Sequence, residues 1–149
     1  MVKSDKGFTL IELVVAFGIL AFALCGILLT YINMFILTDL TRDFTLATNA
    51  LQAEMEDIKR QNFDNLSSFN GTPFNMGGFA SLDAKGRVEV TNTSYGDLKR
   101  IRIVACFKSR GRLIGEDANL NGVLDAGEDT LWVNNRLDSP VELVTLIAK

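Results

Sequence analysis

The residues best suited to chemistry lie together near the C-terminal end, in the stretch DANLNGVLDAGE, residues 117–128. Counted from Asp117, oxygen-bearing side chains fall at Asp117, Asn119, Asn121, Asp125 and Glu128, with Gly122 in the middle. The spacing follows D-x-[DN]-x-[DN]-G-x5-E throughout. Alternate oxygen donors on a tight loop converge on a hard cation. Gly122 admits the sharp turn, Val123 offers its backbone carbonyl, Asp125 binds directly or through water, and Glu128 closes the sphere with two oxygens. An all-oxygen set suits calcium and not zinc. Glu116 and Asp129 add charge at either side, so the empty loop repels itself. The expected role of the ion is a structural clip with no chemistry of its own. The alternative is an acidic, glycine-containing surface loop whose spacing is accidental.

The stretch resembles the calcium loop of EF-hands and dockerins, without the paired amphipathic helices that flank an EF-hand. A solitary loop implies weak affinity, on the order of 10⁻⁴ M or poorer. Leu124 is expected to turn back into the domain, Trp132 to act as a lid on the core, and Asp138 to lie too loosely spaced to assign to the site. Catalysis finds little else to use. The chain has no His, which removes the commonest acid–base group. It shows no nucleophile elbow, no phosphate-binding glycine loop and no acid pair outside the loop, so no enzyme is expected. Net charge is −3 with no basic run, so no nucleic-acid partner is predicted. Cys25 and Cys106 are too differently placed to pair and are expected to be small buried hydrophobes.

A second candidate lies at the other end, in KGFTLIELVVAFGIL. Glu12 stands at the start of a run with no further charge until Asp39. The run exceeds the roughly 20 residues needed to cross a bilayer and is too long for a cleaved secretory signal. Lys3 and Lys6 ahead of it hold that end in the cytoplasm. A plain anchor accounts for all of this except Glu12. These residues resemble the N-terminus of type IV prepilins and type II secretion pseudopilins, with a class III prepilin leader. The resemblance implies a leader of residues 1–7 ending at Gly7, cleavage by a prepilin peptidase, and N-methylation of Phe8. It also implies that Glu12 pairs with the Phe8 amine of a neighbouring subunit. With Glu12 one helical turn from Phe8, on the same face, the pair would act as a registry device in a filament.

These sites need elements to hold them. Leu40, Phe44, Ala47, Leu51, Met55 and Ile58 recur at helical spacing, which predicts one helix over residues 8–62 with a transmembrane part at about 8–38. Gly26 is the expected place for any bend. Residues 63–149 predict a small β domain, with Phe63, Leu66, Phe69 and Phe74 covering the end of its core. RVEVTNT and LKRIRIVACF form a hairpin in which Ile101, Ile103, Ala105 and Phe107 face inward and Arg100 and Arg102 face away. PVELVTLIA predicts a strand buried on both faces. The calcium loop is an insertion at about 109–138. The fold class is α+β: a long helix packed on a three- or four-stranded antiparallel sheet, the layout the resemblance also implies.

Together these features predict a minor pilin or pseudopilin in the bacterial inner membrane, crossing it once. Its partners would be a prepilin peptidase, other pilin or pseudopilin subunits and an inner-membrane assembly platform. The alternative is a bitopic, membrane-anchored calcium-binding module that never polymerises.

Overall fold

The computed structural model describes residues 7–80, 82–130 and 132–149. Helix α1 spans Leu10–Lys59 and passes through Gly18 and Gly26 unbroken. It is shorter at both ends than the sequence predicts, for local reasons. The Thr9 hydroxyl accepts from the Glu12 N–H at 3.3 Å and the Thr9 carbonyl from Leu13 N–H at 3.2 Å. Thr9 is therefore the N-cap, and Phe8 stays outside the helix. At the far end Asn62 is extended (φ −66°, ψ 138°), and its side chain caps the next element, the 3₁₀ helix Phe63–Phe69, by accepting from Asp64 N–H.

The chain divides into two compact units, one ending at Thr38 and one beginning at Asp39. In the first, the side chains of α1 are exposed along its whole course, Phe17, Phe22, Leu28 and Phe35 among them. This helix is long and apolar enough to cross a membrane. The hydroxyls of Thr30 and Thr38 donate to the carbonyls of Gly26 and Met34 at 2.9 and 2.8 Å, which satisfies them without water. Cys25 is exposed, so the burial expected for it has to come from outside the chain.

The second unit is a five-stranded antiparallel sheet with the last turns of α1 against one face. Strands β1 (Pro73–Asn75), β2 (Ala84–Asn92), β3 (Leu98–Ser109) and β4 (Arg112–Ile114) lie in that order. Strand β5 (Glu142–Ala148) shares an edge of β3 with β4: β5 pairs with Leu98–Val104, β4 with Phe107–Ser109. The helical stripe packs as the spacing predicts. Ala47, Leu51, Met55 and Ile58 are buried against Val88, Val90, Ile101, Ile103, Ala105 and Phe107. Fully burying each large side chain contributes about 1.5–3 kcal/mol. Leu66 is buried, and Phe63, Phe69 and Phe74 close the edges of the same core. Lys99 lies on this face as well, its Nζ donating to the Phe63 carbonyl at 2.8 Å and lying 4.5 Å from the ring centroid. Gly86 lies within β2 for a reason: a Cβ there would lie 2.1 Å from the Phe74 ring.

Four expectations are corrected. Strand β5 is not buried on both faces. It alternates: Leu143 and Ile147 pack on the helix-side core, and Val144 and Leu146 are exposed on the other face. Trp132 is 75% exposed and lids nothing. The sheet has five strands and not three or four, because β1 and β4 are too short to show alternation; and the face of β3 opposite the helix is covered from Arg102 to Cys106, although Arg100 remains exposed. The segment between β4 and β5 folds across this face and builds a second core of Val104, Cys106, Leu120 and Leu137, with Leu113 and Leu124 at its margin.

Candidate functional site

The acidic loop sits in this second layer. Asp117 is fully buried. One carboxylate oxygen accepts from Asn121 N–H at 3.1 Å and the other from Gly122 N–H at 2.6 Å. Gly122 takes φ 79°, and a Cβ on it would lie 2.4 Å from Pro73 Cβ, so the turn requires glycine on two counts. Asn119 and Asn121 both donate their side-chain amides to Asp125 Oδ2, at 2.7 and 2.9 Å. Asn121 Oδ1 accepts from Val123 N–H. Glu128 reaches back across the loop, accepting from Ala118 N–H at 2.9 Å and Asp125 N–H at 3.0 Å. Every carboxylate of the motif thus rests on amide donors of the loop itself. Among the described residues no three carboxylates or thiols converge in the manner of a metal site.

Burial pushes the Asp117 carboxyl above its ordinary range; the N–H groups of Gly122 and Asn121 pull it back, and the charge of Glu128 pushes it further up. Leu124 is half-buried at the edge of the second core, while Leu120, at φ 55°, is the side chain that turns fully inward. Leu120 gave no periodic signal, because its inward direction follows from a left-handed backbone within the turn.

Beneath the loop lies a cluster that sequence reasoning missed. The Arg102 guanidinium donates from Nε to Glu142 at 2.7 Å, from Nη1 to Glu89 at 3.1 Å and to the Leu137 carbonyl at 2.9 Å, and from Nη2 to Asp138 at 2.7 Å. Arg136 also reaches Glu89, at 3.0 Å. Burial alone would lower the Arg102 pKa, yet hydrogen bonding to Glu142 and the charges of Glu89 and Glu142 hold it above its usual value. Glu116 accepts from Thr130 N–H and Asp138 N–H, which carries the network into the rim of the loop. Asp138 therefore belongs to Arg102 and not to the loop's oxygen set.

At the other end, Gly7 and Phe8 are exposed and precede the helix. Phe8 is thus not one helical turn from Glu12 on a shared face, as the sequence suggested; the cap formed by Thr9 excludes it from α1. The capping contact uses only the backbone N–H of Glu12. Among the described residues the Glu12 carboxylate makes no hydrogen bond or ion pair. The leader's remaining residues, Lys3 and Lys6 among them, lie outside the described residues. The signal for the cap was present in the sequence, as Thr and Glu spaced T-x-x-E ahead of an apolar run.

Residues 2–30 match the family model described as the prokaryotic N-terminal methylation motif. No curated protein and no solved structure matches the chain. The motif and the exposed apolar helix behind it make the chain membrane-anchored. With that motif at its head and a long helix leading into a small antiparallel sheet, this is a type IV pilin-like protein.

Proposed function

We propose that the chain is a structural subunit, a minor pilin or pseudopilin of a type IV pilus or a type II secretion pseudopilus. The observation that carries this reading is the methylation motif over residues 2–30, set on a helix whose apolar side chains up to residue 38 are exposed among the described residues. A prepilin peptidase cuts after Gly7, Phe8 becomes the methylated N-terminus, and the subunit waits in the bacterial inner membrane as a single-pass protein. Its sheet unit lies on the periplasmic side. An inner-membrane assembly platform then passes it to other pilin subunits. Once in register, the Glu12 carboxylate meets the Phe8 amine of a neighbour. A misregistered pair leaves desolvated charge behind, which penalises every other stacking step. In this reading the subunit performs no catalysis.

Calcium is the proposed ligand of the acidic loop, held by Asp117, Asn119, Asn121, the Val123 carbonyl, Asp125 and Glu128. It would supply positive charge to a loop short of it and clip the second layer to the sheet.

Intact-mass measurement of the chain co-expressed with a prepilin peptidase tests the reading. Loss of seven residues plus gain of one methyl group is expected; a full-length mass would sink it. A non-polymerising membrane-anchored calcium module is the other reading. Glu12→Ala separates the two, because it is expected to be processed normally yet to drop out of cross-linked assemblies.

A further inference from the structure

Lys108, Arg110 and Arg112 alternate along five residues, and the fold adds Arg42 to them to make a cationic foot on the second unit. The β3–β4 connection is a two-residue turn in which Arg110 (φ 50°) and Gly111 (φ 78°) are both left-handed. Such turns favour Asn-Gly, and an arginine in the first place is uncommon. The turn is tied to the start of the unit. Arg110 lies 3.2 Å from Asp39, and the buried Ser109 hydroxyl donates to Asp43 at 2.7 Å. Arg42 stands between those two aspartates in α1. Lys108 N–H donates to the Asp83 carbonyl at 2.8 Å, which brings in the loop bearing Leu82, 82% exposed. Arg42, Lys108, Arg110 and Arg112 are all exposed here. The opposing acids are Asp39, occupied by Arg110, Asp43, holding Ser109, and Asp83. Among the described residues Arg42, Lys108 and Arg112 form no ion pair.

We infer that this foot is a surface for anionic phospholipid: headgroup phosphates meet Arg42, Lys108 and Arg112, and Leu82 enters the interface. The inference rests on the chain being membrane-anchored. Asp39 directly follows the last residue of the uncharged run, so a headgroup layer lies within reach of Arg42 whenever the span is seated. A basic group near an anionic leaflet is attracted to it, and an adjoining apolar side chain adds burial. The foot would hold the subunit at the bilayer until assembly draws it out.

The test uses the full chain in vesicles, with Cys25→Ser to remove the exposed thiol. An environment-sensitive fluorophore is attached at Ala80→Cys, beside Leu82, or at Tyr95→Cys, on the turn at the opposite end of β3. Headgroup-labelled quencher lipid is present in phosphatidylcholine vesicles with or without phosphatidylglycerol. Quenching at position 80 is expected to be about fivefold stronger with the anionic lipid, the gain from one well-placed cation. Molar salt should abolish the difference, as should Arg42→Gln with Lys108→Gln and Arg112→Gln. The Tyr95→Cys probe should not respond. If the triple variant folds poorly, the lipid and salt dependence of the unsubstituted foot decides alone. Equal quenching in both lipids, or quenching that grows only with subunit density and so reports a neighbouring subunit's acidic surface, would overturn the inference.

Discussion

Arg102→Leu is the perturbation that most directly probes how the second layer is held. The side chain is 7% exposed and serves Glu89, Asp138 and Glu142 together with the Leu137 carbonyl. Its loss strands these acids unequally. Glu142, 42% exposed, can turn to water. Glu89 keeps Arg136, and among the described residues Asp138 keeps only the Asn134 side-chain amide, at 2.7 Å, as a side-chain partner. Breaking one side of a buried ion pair costs roughly 3–5 kcal/mol, and the partial compensation here argues for about 3. Cys106 provides a local assay. It is fully buried beneath the layer, and with Cys25→Ser it is the remaining thiol. If labelling follows opening of the layer, a loss of about 3 kcal/mol accelerates Cys106 modification roughly 100-fold. A companion substitution, Asp138→Leu in the Arg102→Leu background, should recover much of the loss, since two apolar groups replace a stranded charge. Acceleration of less than about threefold, with an unchanged melting temperature, would refute the claim that the guanidinium fastens this layer.

Calcium is expected to raise the melting temperature of the full chain in detergent: at a hundred times the dissociation constant, linkage gives about 2.7 kcal/mol, and Glu128→Ala should remove the effect. A melt indifferent to both calcium and chelator would show that the spacing is accidental. Gly122→Ala should destabilise by more than about 1–2 kcal/mol from the left-handed backbone alone, with the Pro73 clash adding to it, as read by urea titration. Burial, chiefly, pushes the Cys106 thiol up to about 11; the charges of Asp117 and Glu116 add to this, and their backbone hydrogen bonds oppose it. Above the ordinary thiol range the unfolded chain releases this proton first. The stability contribution of Cys106 is therefore full below about pH 8.5 and declines as pH rises towards 11. Cys106→Ala should flatten that alkaline decline in urea midpoints measured against pH.

Much of the molecule was legible because its signals are local. Ala47, Leu51, Met55 and Ile58 recur at helical spacing and are buried on one stripe. The alternation of Ile101, Ile103, Ala105 and Phe107 assigned the inner face of β3 correctly. The loop's turn at Gly122 followed from a motif confined to neighbouring residues. The helix start was misplaced by a cap whose T-x-x-E signal lay within the same few residues, so that error was one of interpretation and not of missing information.

Period-two alternation says which side of a strand a residue takes, and nothing about what later lands on that side. Arg102 faces away from the helix as its spacing requires, yet it is buried, because its partners come from 13, 36 and 40 residues further along or back in the chain. The segment that carries Asp138 and the Leu137 carbonyl has no periodicity by which to announce itself. The cationic foot has this origin in part: Lys108, Arg110 and Arg112 alternate within five residues of sequence, but Arg42 joins them only when β3 returns to the first turn of the second unit. Sequence alone determined the helix, the three longer strands, the inner face of β3 and the N-terminal motif, since each is written in a pattern a few residues wide. Tertiary structure decided which charges are buried and which are gathered, since desolvation and Coulomb attraction depend on distance in space.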